Sequence, residues 1–415
     1  MLRSALPQNY ILKAGTLFED FENITSWTKS GTDPIGTVTR DTTNVKFGSA
    51  ALRLTVNTPS SNVSAIKVIN QLFSDSTVFH FWLFVPDWAP NDGVANFEIT
   101  FSSYTNYAHY FKKTFGTGSK CFVYGWNHLV MHASDFTNYT ADSWTRPMVR
   151  LVFRVYYRTG MTGYVTLDNM FYTQKSMPRC LIGFDDTFDT VYSAAFAKMN
   201  PLGLRGTIYI TKNIITAGSG LCGPALTIPH INEMYAAGWA VCNHTISHPH
   251  LNLLTQAEVE AEIQGCNDWL VSNGWTRAAK HIAYPYGNIV TADMFAACQS
   301  TGMITGRTTF TGEPEPLPFG DRYQLRSSQL GEPATLATVQ GWVDHAIRNQ
   351  VTLNLFGHSI ADGHETDANF WGSTKFNSLI DYLVARKIPC VTIDEWYNGL
   401  TNPRYRSLPV PRISM

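Results

Sequence analysis

The sequence predicts two domains of different class, an N-terminal all-β jelly-roll sandwich followed by an incomplete (β/α)7-type barrel. The chain has 415 residues, more than one ordinary domain holds. Its first part places apolar residues at every second position, with turn residues between the runs. Its second part alternates short apolar runs with amphipathic stretches of helical period, which is typical of parallel strands joined by helices.

The sandwich is predicted over residues 16–175, after a tail at residues 1–15. The alternation is clear at 52–57 and 149–155, and further strands are expected at 78–85 and 97–101. Many short strands without helices favour a jelly roll. Tyrosines in this region have the chemistry to stack on sugar rings, and the alternative is that they are ordinary loop and sandwich side chains. They are Tyr104, Tyr107, Tyr110 and Tyr139.

The barrel domain is predicted over residues 176–402, before a tail at 403–415. Its clearest helix is expected at 256–273, where Thr255 and Glu258 form a capping box, and another is expected at 373–386. The predicted strands are 180–184, 205–211, 239–243, 281–285, 303–308, 351–356 and 389–393. In a barrel of this kind, functional groups lie at the carboxyl ends of the strands.

Composition excludes several classes of function. The 31 basic and 32 acidic residues leave no strong field, so nucleic acid is not an expected partner. No apolar run approaches the roughly 20 residues of a membrane span, and the N-terminus lacks the apolar segment of a signal peptide. The seven cysteines are an odd number, and we expect free buried thiols, with a Cys222–Cys242 disulfide as the alternative.

Two predicted strands end on groups that bind metals. One ends on Asp185 and Asp186, and another is followed by His244 and His248. Adjacent carboxylates repel each other unless a cation or a proton lies between them. One aspartate and two imidazoles would give a divalent ion three ligands and leave positions open for water. The alternative for the aspartates is a solvated turn.

Two later clusters also follow predicted strands. Tyr284-Pro-Tyr-Gly287 ends one, and Phe356-Gly-His-Ser359 ends another. Together with Phe184-Asp-Asp186 and His244-Thr-Ile-Ser-His248, these motifs resemble, in order, those of the polysaccharide deacetylases, carbohydrate esterase family 4. The resemblance covers about residues 178–400 and implies a distorted barrel. The N-terminal part resembles carbohydrate-binding jelly rolls, at positions that are mostly scaffold.

The resemblance also implies roles for individual residues. Asp186, His244 and His248 would hold a divalent metal, most simply zinc, with cobalt or nickel as alternatives. Asp185 would be the general base. The main-chain N–H of Tyr286 would face the developing oxyanion, and His358 would protonate the leaving group.

The sequence departs from the family pattern at two places. An arginine that often pairs with the base would stand at position 283, which is alanine, and the fourth motif has no clear match. We expect Arg326, in the segment Asp321–Arg326, to hold Asp185 in its place. The alternative is that Arg326 pairs at the surface.

The leading hypothesis is therefore a metal-dependent hydrolase that removes acetyl groups from an acetylated cell-wall, capsule or surface polysaccharide. The alternatives are a non-catalytic glycan-binding protein and a metal-dependent amidase acting on peptidoglycan or a small amide. We expect extracellular action, either as part of a virus particle or after removal of a signal segment. An oligomer is compatible with the sequence.

Overall fold

The protein forms two compact units, each described by itself. One comprises residues 1–176 with 316–321, and the other comprises 177–315 with 322–415. The predicted tails fall almost entirely outside the described residues. The computed structural model describes residues 15–86, 93–116, 122–172, 178–220, 222–287, 289–311, 314–317 and 319–401.

The first unit is a β-sandwich of two six-stranded antiparallel sheets. The first sheet has the order β3-β4-β12-β6-β9, with β1 beside β12, and the second has the order β10-β8-β7-β11-β5-β2. The strands are β1 Thr16–Glu19, β2 Trp27–Ser30, β3 Thr37–Asp41, β4 Ala51–Val56, β5 Asn62–Gln71, β6 Val78–Val85, β7 Val94–Ser102, β8 Tyr110–Phe115, β9 Gly125–His132, β10 Thr137–Tyr139, β11 Met148–Tyr157 and β12 Gly163–Tyr172.

The sandwich core is aromatic and follows the predicted alternation. Phe97 and Phe101 of β7 and Phe153 of β11 are fully buried, and Phe101 stacks on Phe79 of β6 with ring centroids 4.9 Å apart. Alternate residues of the longer strands, such as β4, β7 and β11, therefore enter one shared core. The predicted jelly-roll sandwich is confirmed.

The second unit contains a seven-stranded parallel sheet of order β19-β18-β17-β14-β13-β21-β20. Its edge strands are linked by one stretch of chain: the Leu325 N–H donates to the Gly306 carbonyl of β19 at 2.9 Å, and Ser328–Leu330 pairs with β21. The sheet thus curls into the predicted distorted barrel. Its strands are β13 Arg179–Asp185, β14 Thr207–Ile210, β17 Ala240–Asn243, β18 His281–Ala283, β19 Thr305–Arg307, β20 Ser328–Leu330 and β21 Thr352–Gly357. Short pairs are β15 Ser219–Gly220 with β16 Gly223–Pro224, and β22 Ser359–Ile360 with β23 Phe370–Trp371.

One predicted barrel strand is wrong. Residues 389–393 contribute only an isolated bridge between Cys390 and Cys180, because the chain turns into a helix at Ile393. The seventh strand is instead Ser328–Leu330, a short segment that alternation did not indicate.

Helices connect the barrel strands. The helix at Gln256–Ser272 has the predicted capping box of Thr255 and Glu258. Among the described helices, none is both long and apolar enough to cross a membrane. The α-helices are α1 Ala197–Met199, α2 Lys212–Ala217, α3 Ile228–Ala236, α4 Gln256–Ser272, α5 Ala292–Ser300, α6 Leu336–Asn349, α7 Ser373–Ala385 and α8 Ile393–Thr401. A π-helical segment at Val191–Phe196 precedes α1.

The cysteines behave as the composition predicts. The six cysteines in the described part of the chain are free, so Cys222 and Cys242 form no disulfide. Burial raises the pKa of the Cys222 thiol to about 12, with the charges of Asp186 and Asp367 acting in the same direction. The Cys222 thiol is therefore protonated at neutral pH.

Candidate active site

The polar clusters predicted from the sequence meet at one edge of the barrel sheet. Asp185 is the last residue of β13, and His244 follows the last residue of β17. The main-chain N–H of His244 donates to the Ile210 carbonyl of β14 at 2.9 Å, which fixes it beside that strand end. Since the strands are parallel, their carboxyl ends lie on the same side.

Asp186, His244 and His248 come together as a triad. Asp186 Oδ1 lies 3.8 Å from His244 Nε2 and 3.6 Å from His248 Nε2, and the three candidate ligand atoms lie within 4.8 Å of one another. One carboxylate oxygen and two imidazole nitrogens in this arrangement suit a divalent transition metal such as zinc. In the described part of the chain, this is the one cluster of its kind.

Hydrogen bonds fix the orientation of the triad. His244 Nδ1 donates to the Ala283 carbonyl at 2.7 Å, so Nε2 presents its lone pair toward Asp186. Burial lowers the pKa of His244 to about 4, with opposing effects from Asp185 and Asp186, so the imidazole is neutral at pH 7. The Thr211 hydroxyl donates to Asp186 Oδ1 at 3.1 Å. A neutral, oriented imidazole is the form that binds a metal.

The backbone around the triad is strained. Asp186, His248 and Tyr286 have φ values of 59°, 60° and 60°, in the left-handed region that residues other than glycine rarely adopt. Asn243 stabilises the loop that carries the two histidines, since its Oδ1 accepts from the Thr245 N–H at 2.8 Å. Strain of this kind concentrates at functional sites.

Asp185 is buried beside the triad and paired with an arginine. Arg307 Nη2 donates to Asp185 Oδ2, whereas Oδ1 is buried without a hydrogen-bond partner among the described residues. Burial raises the pKa of the Asp185 carboxyl, but the charges of Arg307, His244 and His358 outweigh it and hold the pKa below its ordinary value. Asp185 is therefore a carboxylate with one oxygen held and the other free to accept a proton.

The arginine that holds Asp185 is thus not Arg326. The Arg326 guanidinium pairs with Glu315, with Nε 3.0 Å from Oε1, and the Arg326 main-chain N–H donates to the same oxygen at 2.8 Å. Arg326 is 3% exposed, so the alternative of a surface pair is wrong as well. Arg326 lies in the stretch of chain that links the two edge strands of the sheet, and the Asn354 amide of β21 donates to its carbonyl at 3.1 Å.

Arg307 is the functional residue that the sequence reasoning missed. It is 1% exposed at the end of β19, and its guanidinium carbon lies 5.3 Å from the Tyr209 ring and 4.4 Å from the Phe356 ring. Its Nη1 also donates to Ser327 Oγ at 3.2 Å. A charged residue at the end of the predicted apolar strand 303–308 was the available signal, since buried charges need partners.

His358 and Tyr286 border the same site. His358 follows β21, and its charge influences the pKa of both Asp185 and His248. Tyr286 is 48% exposed, and its ring stacks on His250 with centroids 3.7 Å apart, beside His248 at 4.8 Å. The structure thus brings together every predicted site residue except Arg326.

One stretch of the chain matches a known protein family. Residues 173–305 match the sequence model of the family described as polysaccharide deacetylase. The chain carries a polysaccharide deacetylase domain. The match includes Asp185, Asp186, His244, His248 and Tyr286, whereas Arg307 and His358 lie beyond it.

Solved structures give likenesses to both units. A family 4 carbohydrate esterase from Streptomyces lividans, solved with acetate, has a TM-score of 0.37 and 16% identity over 51% of this chain and 90% of its own. The peptidoglycan deacetylase PdaC from Bacillus subtilis has 0.37 and 14% over 55% and 92%. A family 11 carbohydrate-binding module from Clostridium thermocellum has 0.29 and 12% over 39% and 95%. These scores are low, so we take the fold from the strand topology.

The comparison with curated proteins gave no match. The function of this site is therefore inferred from the residues that form it. The domain belongs to a family of hydrolases that remove acetyl groups.

Proposed function

We propose that the protein is a metal-dependent hydrolase that removes acetyl groups from an acetylated polysaccharide. The observation that supports this most directly is the triad of Asp186, His244 and His248, with ligand atoms within 4.8 Å, beside the arginine-held carboxylate of Asp185. A bound divalent ion would polarise the acetyl carbonyl and lower the pKa of water at this site. Zinc suits the donor set, and cobalt or nickel would fit the same ligands.

The protein's own groups would carry the proton transfers. Asp185 Oδ1, which is free of hydrogen-bond partners among the described residues, would take the proton from the attacking water. Arg307 would hold Oδ2 and keep the carboxyl ionised and in place. No large movement of Asp185 is needed, because its side chain is fixed before substrate arrives.

The remaining groups would act on the tetrahedral intermediate. The main-chain N–H of Tyr286 would stabilise the developing oxyanion, and its position is fixed by Thr309, whose hydroxyl donates to the Tyr286 carbonyl at 3.0 Å. His358 would give a proton to the leaving alcohol or amine. The reaction would consume one water and release acetate together with the free alcohol or amine of the sugar.

The proposal includes extracellular action, because cell-wall, capsule and surface glycans lie outside the cell. The polysaccharide deacetylase domain supports a polymeric substrate over a small amide.

Release of acetate tests the proposal. Purified protein loaded with zinc is incubated with N-acetylated chitin oligosaccharides, acetylated xylan and peptidoglycan, and free acetate is measured. We expect acetate from at least one polymer with the wild type and none above background with Asp185→Asn. Acetate from none of the polymers, or equal release by the variant, would contradict the proposed chemistry.

A further inference from the structure

The second sheet of the sandwich carries a cluster of charges on its outer face. Leu151, Phe153 and Val155 of β11 enter the core, so Arg150 and Arg154 lie on the opposite side. The register carries this face across three strands, with Arg154 opposite Glu98 of β7, and Glu98 opposite Thr114 of β8. We call this surface the Arg150 face. It consists of Arg150, Arg154, Glu98, Lys112, Tyr107, Tyr110 and Tyr139.

Cations outnumber carboxylates on the Arg150 face. Glu98 lies between Lys112 Nζ at 3.3 Å and Arg154 Nη1 at 3.7 Å, so two cations share one carboxylate. Glu98 is nearly buried, whereas the side chains of Arg154 and Lys112 are 40% and 27% exposed. The face is therefore polar, positively charged and open to solvent.

Arg150 has no carboxylate partner among the described residues. Its guanidinium carbon lies over the Tyr107 ring at 5.6 Å, and its Nε is buried without a hydrogen-bond partner. The Tyr107 hydroxyl is also buried without a partner. A partly buried guanidinium that has no carboxylate partner among the described residues is suited to bind a carboxylate from outside the chain.

Aromatic rings lie beside these cations. Tyr110 and Tyr139 face each other across β8 and β10 and stack with centroids 4.7 Å apart at 14°. Lys112 Nζ lies 5.3 Å from the Tyr139 ring. Tyrosine rings give a pyranose ring an apolar surface at low entropic cost, while their hydroxyls bond to sugar hydroxyls.

We propose that the Arg150 face binds an acidic polysaccharide, one with a carboxylate in its repeating unit. A carboxylate would pair with the Arg150 guanidinium, and neighbouring sugar rings would pack on Tyr110 and Tyr139. The free cation distinguishes this ligand from a neutral glycan, which would leave the Arg150 guanidinium unpaired and desolvated. This binding is independent of the proposed hydrolysis.

Affinity electrophoresis of the full chain tests this proposal. The probes are polygalacturonate and the same polymer with its carboxyl groups methyl-esterified, so that only the charge differs. We expect retardation in polygalacturonate, little in the ester, and loss of retardation as salt is raised. Equal retardation in both gels, or none in either, would overturn the proposal.

Matched variants locate the site. Arg150→Met keeps the aliphatic stem, and we expect about a tenfold weaker apparent affinity, the loss typical of a hydrogen bond to a charged group. Arg40→Met, on β3 of the first sheet, is the control and should bind like the wild type. Tyr110→Ser is a second variant at the same site, and it should weaken binding about threefold. It tests the site independently of whether Arg150→Met folds. Equal weakening by Arg40→Met would show diffuse attraction only and contradict the site.

Discussion

Replacing Arg307 by methionine should lower turnover by more than its effect on folding stability explains, because Arg307 holds the carboxylate of Asp185 in place. Arg307 Nη2 donates to Asp185 Oδ2, and both side chains are almost fully buried. Methionine keeps most of the stem and removes the charge. Removing one partner of a buried ion pair costs about 3–5 kcal/mol of stability, because the other charge is left desolvated.

The expected catalytic loss is separate from this stability loss. Misplacing a catalytic group by about 1 Å can lower the rate about 10²-fold, so we expect at least that loss in kcat. Since Arg307 favours the ionised form of Asp185, its removal should raise the pKa of that carboxyl. The acidic limb of the pH–rate profile should then move to higher pH.

Arg326→Met is the matched control. Arg326 is also a buried guanidinium paired with a carboxylate, that of Glu315, yet it does not touch Asp185. We expect both variants to lose similar stability in urea unfolding, while only Arg307→Met loses turnover, measured as acetate release at low temperature. Turnover within about threefold of the wild type for Arg307→Met, or an equal catalytic loss for both variants, would refute the reasoning.

A relocation variant sharpens the same test. Ala283 and Arg307 are direct partners in the pairing of β18 with β19. The double variant carries Ala283→Arg and Arg307→Ala. Its new guanidinium would extend from β18, from the position directly opposite residue 307 of β19. We expect this double variant to regain at least about tenfold in kcat over Arg307→Ala alone, because proximity of the cation restores the position of Asp185.

Three further outcomes are expected. Asp185→Asn should retain the metal and lose turnover, as checked by metal analysis beside the acetate assay. His358→Ala should slow N-acetyl substrates more than O-acetyl ones, because an amine leaves poorly unless it is protonated, and equal losses would contradict the acid role. Burial lowers the pKa of His281 to about 3, below the ~6.5 of an unfolded histidine, so the stability from its neutral form is complete above pH ~6.5 and is lost as pH falls toward 3. As pH is lowered, the free energy of unfolding should therefore decrease less steeply in His281→Gln than in the wild type. The difference in slope, measured by urea titration, should be up to about 1.4 kcal/mol per pH unit.

The groups of the site could be predicted from the sequence because they are local to strand ends. Asp185 and Asp186 follow a short apolar run directly, and His244 follows another, so the pattern along the chain places them at one edge. The sandwich strands could be predicted for a similar reason, since the alternation at 52–56 reflects burial of one side of the strand.

Arg307 could not be predicted because its partner is remote in both sequence and strand order. The sheet order places β18, β17 and β14 between the strand of Arg307 and the strand of Asp185. Only the curvature of the barrel brings the two side chains together across its interior, where Arg307 also meets Tyr209 and Phe356. The position of Arg326 in the chain suggested proximity, but its carboxylate partner is Glu315.

The most direct test of the central claim measures bound metal and turnover together in two histidine variants. His248 belongs to the triad, whereas the nearby His250 stacks on Tyr286 and is not part of it. We expect about one divalent ion per chain in the wild type and in His250→Ala, with far less metal and no acetate release in His248→Ala. Equal metal content and turnover in the two variants would contradict the assignment of Asp186, His244 and His248 as the ligands on which hydrolysis depends.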